Sequence, residues 1–76
     1  MKEFTFNIVE HLGVIKTNSN GWAKEINIVS FCHREPKIDI REWSPDHTQM
    51  SKGMQFDDEE VEQVYKILHD YIERNK

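Results

Sequence analysis

Lys37, Asp39, Arg41 and Trp43 fall at alternate positions of the run KIDIREW. On an extended strand such residues share one face, and Ile38, Ile40 and Glu42 share the other. The second face is aliphatic and suited to packing inward. The first mixes cations with an indole, a group that a protein in water either hides or gives to a partner. Cations beside an exposed aromatic suit stacked bases on a phosphate backbone, so single-stranded nucleic acid is the partner this chemistry favours. An ordinary solvated strand face with one partly buried Trp is the plainer alternative.

Other chemistries find little support. His11, His33, His47 and His69 lack metal-ligand spacing. Cys32 and His33 are strand neighbours that point opposite ways and cannot converge on one ion. Asp46-His47 has no nucleophile and no glycine-rich oxyanion loop beside it, and Ser44-Pro45-Asp46 reads as turn chemistry. There is no phosphate loop, dinucleotide fingerprint or paired-carboxylate site. The expectation is a protein without catalytic residues, metal or cofactor.

The elements that must position these residues can be read along the chain. Phe4, Phe6, Ile8, Leu12 and Val14 alternate through a first strand, Phe4 to Lys16, long enough that Gly13 is expected to bend it. Asn20-Gly21 signals a hairpin. A second strand runs from Trp22 to about Cys32, with Ile26 and Ile28 on one face and Val29 and Phe31 on the other. Lys37–Trp43 is the third strand. A loop from Ser44 to Ser51 and a short fourth strand, Lys52 to Phe56, lead into a helix. Asp57 suits the N-cap and Glu60 completes a capping box, with Asp58 and Glu59 at the favourable end of the macrodipole. Val61, Val64, Tyr65, Leu68, Tyr71 and Ile72 form one apolar stripe. Four strands followed by one helix indicate an α+β fold: an antiparallel meander with the helix across one face.

The 76 residues make one domain, 1–76, with a small core. Dimerisation is the natural way to enlarge it. One cysteine and no signal segment point to a reducing, cytoplasmic setting. No apolar run approaches the roughly 20 residues that span a membrane. The net charge of −4 lies wholly in the C-terminal part, where 57–76 carries seven acidic and three basic residues; 1–56 carries seven of each. The first part can therefore hold a local positive patch, though not the strongly basic surface of a typical duplex binder.

The blocks GWAKEINIVSF and EPKIDIREWSPDH, followed by Lys52-Gly53, a short strand and an acidic helix start, resemble the positive cofactor four family of transcriptional coactivators. The closest likeness is to its small bacterial, YdbC-like branch, over about Gly21 to Leu68. The resemblance implies a curved antiparallel four-stranded sheet with one C-terminal helix, paired into a symmetric homodimer. It implies single-stranded DNA binding with little sequence preference on a ridge of strands, in transcription or DNA maintenance in a bacterial cytoplasm. Carried over by position, Arg41 meets backbone or bases, Phe31 stacks on bases, Trp43 lies at the aromatic end of the third strand and Lys52 enters the last strand. Trp22 and Lys24 belong to the bacterial-type block, and Lys37 lines the ridge. Trp22 serves equally as a hydrophobic cap on the hairpin. Lys24 shares strand phase with Ile26, so it faces the ligand only if a bulge intervenes. The eukaryotic members carry a basic, serine-rich regulatory tail before the domain, and this chain has none, so activator-dependent coactivation is not carried over. A protein–protein interaction module of the same fold is the alternative function.

Overall fold

The computed structural model describes residues 5–76; Phe4, expected to open the first strand, lies outside them. Four strands, β1 (Phe6–Thr17), β2 (Ala23–Phe31), β3 (Lys37–Trp43) and β4 (Met54–Phe56), form one antiparallel sheet in the order β1-β2-β3-β4. The helix α1 (Asp58–Arg74) follows. This is the α+β fold read from the sequence, and no helix among the described residues is long and apolar enough to cross a membrane.

Each boundary has a local cause. The β1–β2 connection closes with Asn18 N–H donating to the Trp22 carbonyl (2.7 Å) and Gly21 N–H to the Asn18 carbonyl (3.0 Å). Only Gly21 in this turn takes a left-handed conformation, φ 92°. The loop is therefore a three-residue hairpin in which glycine supplies the left-handed step. The β2–β3 turn ends β2 one residue earlier than expected. Cys32 and His33 both have positive φ (52° and 62°), and Arg34 N–H donates to the Phe31 carbonyl at 3.0 Å. This is the pattern of a type I′ turn, made here without glycine. The N-cap is as read: Asp57 accepts from the Glu60 N–H (2.8 Å), and Glu60 Oε1 accepts from the Asp57 N–H (2.9 Å).

The sheet is strongly curled. Phe6 pairs with Phe31 at one end of β2, and Trp43 pairs with Ala23 at the other. Yet the Phe6 and Trp43 ring centroids are 5.2 Å apart. A flat sheet would hold these diagonal corners far apart. Register shifts at Ile8/Glu10, His11/Gly13 and Val14/Lys16 on β1 supply the bend, since each extra residue kinks the strand and increases its twist. Gly13 lies among them, as expected.

The curl reverses the expected roles of the two faces of β3. The face carrying Lys37, Asp39, Arg41 and Trp43 lies inside it. Asp39, Trp43, Asn27 and Val29 are fully buried there, and Glu25 nearly so. Ile26, Ile28, Ile38 and Ile40, on the other face, are only half-buried. The helix touches the sheet only along β3 and β4. Its Tyr65, Leu68, Tyr71 and Ile72 are more than half exposed.

Candidate functional site

Two clusters occupy the inner face. The first is built on Phe31 and Arg41. The Arg41 guanidinium lies 4.6 Å from the Phe31 ring centroid. It also grips Asp39, with Nε at 2.7 Å and 3.0 Å from the two carboxylate oxygens and Nη2 at 2.7 Å. Asp39 is fully buried, and a carboxylate so placed needs a paired cation. Nη1 reaches the Ser51 carbonyl at 3.3 Å. Gly53 is required here because a Cβ would overlap Arg41 Cβ and lie 2.6 Å from the Ile40 carbonyl. The Lys52-Gly53 signature is thus explained at its glycine: the chain passes close over the guanidinium. Beside the pair opens a groove of about 260 Å³, lined by Phe31, Arg34, Glu35, Lys37 and Gln55.

The second cluster is built on Glu25 and was not singled out from the sequence. Glu25, only 4 % exposed, pairs across the sheet with Arg41. Its carboxylate accepts from Asn27 Nδ2 at 3.1 Å and from His47 Nε2, which lies 3.0 Å and 3.1 Å from the two oxygens. His11 Nδ1 donates to Asn27 Oδ1 at 2.6 Å. Ile8, His11, Glu25, Asn27 and His47 together line a cavity of about 330 Å³. The His47 imidazole stacks on the Trp43 indole, centroids 5.6 Å apart and planes 29° apart. Trp43 Nε1 is buried and has no acceptor among the described residues.

The loop 44–51 holds His47 in place. Asp46 Oδ1 accepts from Ser44 Oγ (2.9 Å), Thr48 N–H (3.1 Å) and Thr48 Oγ1 (2.7 Å). Hydrogen bonds from Thr48, side chain before backbone, and then from Ser44 hold the Asp46 carboxyl below the usual carboxylate range. His47 itself is left-handed, φ 60°. The Ser-Pro-Asp turn chemistry expected from the sequence thus delivers an imidazole to Glu25. No group of His, Cys, Asp or Glu among the described residues is arranged to hold a metal ion.

The expected site residues divide accordingly. Phe31, Arg41 and Lys37 come together, with Arg34 as an unforeseen neighbour. Trp43 is corrected: it has no exposed surface, because the curl sets Phe6 on it and the 44–51 loop sets His47 on it. It is a core residue of this chain and not an open platform for a base. Arg41 is a cation already matched by Asp39. Lys24 is exposed but opposite Glu42, on the Ile26 face; the register shifts fall on β1 and leave the phase of β2 intact. Trp22 is half-buried just before β2, and Lys52 is exposed just before β4 rather than within it. The sequence signal for the second cluster was Glu25 and Asn27 sharing strand phase with Val29, two polar residues on an otherwise apolar face.

No family model matches the chain. The chain is 33% identical over 67 residues to an uncharacterized protein of Treponema pallidum (strain Nichols), covering 88% of this chain and 79% of that protein.

Proposed function

The chain belongs to the family of that Treponema pallidum protein, and we propose that it binds single-stranded nucleic acid. The observation that carries this reading is the Phe31 ring capped by the Arg41 guanidinium at the edge of a groove lined by Arg34 and Lys37. An aromatic ring and a planar cation give bases a stacking surface, worth about 1–3 kcal/mol per base. Arg34 and Lys37 are exposed and neutralise phosphates, a task Arg41 shares less because Asp39 already balances it. The likeness to the positive cofactor four family supports the same function, with a role in bacterial transcription or DNA maintenance.

The working form is a homodimer. The radius of gyration is 14.1 Å, against about 11 Å for a compact chain of this length. The excess comes with a helix whose apolar stripe faces water, and a second copy would cover it. A different protein partner on the same stripe is the alternative, and the solution mass separates the two.

Fluorescence anisotropy with a labelled oligothymidine, titrated at several salt concentrations, tests the function. Binding should weaken with a log–log slope of about −0.7 per phosphate contacted. A matched duplex should bind much more weakly, since its bases are unavailable for stacking. Absence of binding at low salt, or equal affinity for the duplex, contradicts the proposal.

A further inference from the structure

We infer that the cavity over Glu25 is a base-reading subsite selective for guanine, an inference that rests on the nucleic-acid reading above. The cavity opens on the same sheet face as Phe31 and Arg41, since Glu25 and Arg41 are paired residues. Its floor is a carboxylate nine-tenths buried and fixed by Asn27. Its walls are Ile8 and two half-exposed imidazoles.

A buried carboxylate accepts hydrogen bonds and donates none while ionised. Guanine presents two adjacent donors, N1–H and the 2-amino group, that match its two oxygens. Cytosine and adenine each offer a single amino group beside an unprotonated ring nitrogen. Thymine offers one N–H flanked by two carbonyls, which the carboxylate repels. The order of preference is therefore guanine first and thymine last. Stacking on the Phe31 side tolerates any base, so this one cavity adds a preference to an otherwise indifferent surface.

His47 marks how the base sits. Its flat ring lies on Trp43 and shares one N–H between both Glu25 oxygens. A guanine edge makes the same approach with two donors in place of one. His47 holds that position in the free protein, from a loop with left-handed backbone at His47 itself. A guanine edge therefore competes with His47 for the same two carboxylate oxygens.

The test compares oligothymidines carrying one central dG, deoxyinosine, dA or dC with the all-thymidine strand, at fixed salt. A bidentate contact predicts about tenfold tighter binding for dG than for dT. Deoxyinosine, which lacks the 2-amino group, should fall between them. Glu25→Gln should reduce the dG-to-dT ratio to near one, and His47→Ala should raise it. If Glu25→Gln fails to fold, the inosine series on the parent protein still decides. Free deoxyguanosine monophosphate should not displace the strand at equal concentration; displacement would overturn a subsite for strand-borne guanine. Binding of all strands with equal affinity overturns the subsite and leaves the general function standing. Absence of binding by the all-thymidine strand and by every substituted strand overturns both.

Discussion

The inner face of the sheet and the outer stripe of the helix treat their large side chains in opposite ways. Trp43, on a strand face shared with Asp39 and Arg41, has no exposed surface. Tyr65, Leu68, Tyr71 and Ile72, on a helix face without a charge among them, are more than half exposed. Local polarity therefore does not decide burial here. The curl of β1 over β3 hides a polar face, while a helix resting only on β3 and β4 leaves an apolar one uncovered. Burial of the first is settled within one chain. The second stays exposed in the single chain, and a second copy is the cover proposed for it.

The largest effect should follow from emptying the inner face. Trp43→Ala removes the ring on which Phe6 and His47 both rest and should cost about 3–5 kcal/mol, read from urea unfolding. A cost below about 1 kcal/mol would mean that the curl does not depend on it.

Arg41→Ala should come next. It strands the buried Asp39 carboxylate without its cation, at a cost of about 3 kcal/mol or more. Adding Asp39→Asn should recover much of that loss, because the uncompensated charge is then gone. If the double variant is no more stable than the single one, the pair is not the reason for the loss.

On the helix the expected effect is on mass rather than on the fold. Leu68→Glu should halve the particle mass measured by light scattering, from twice the 9.1 kDa chain mass to one. Its helical circular dichroism should be retained, since Leu68 is 53 % exposed within the single chain. A parent protein that is already monomeric at micromolar concentration contradicts the dimer.

The smallest effect concerns the loop that carries His47. Asp46 has its folded pKa depressed below the ordinary 3.8. Its contribution is thus fully present above that value and is lost as pH falls through the lower folded value. Amide exchange at Thr48 should accelerate over that acid window, and Asp46→Asn should make the response flatter. Unchanged exchange across the window would show that Asp46 does not order the loop.

The elements were legible because each rests on local chemistry. The capping box at Asp57 and Glu60, the third strand 37–43 and the hairpin glycine at Gly21 are all set by neighbours in sequence. The roles of the two sheet faces were not legible. Alternation gives two faces but cannot say which lies inside a curl, and this curl depends on three register shifts in β1. For the same reason Trp43 read as a platform, and the meeting of His11, Glu25, Asn27 and His47 went unseen. His11 reaches Asn27 across a shifted register, and His47 reaches Glu25 from 22 residues away. The Phe31–Arg41–Lys37 cluster was legible because its members lie at matched phases of adjacent strands.

The most direct test of the account is an amide chemical-shift map of the protein titrated with an oligothymidine. The largest shifts should fall at Phe31, Arg34, Lys37 and Arg41, with the helix stripe from Tyr65 to Ile72 little changed. Shifts confined to that stripe, or none at saturating oligonucleotide, would contradict the account.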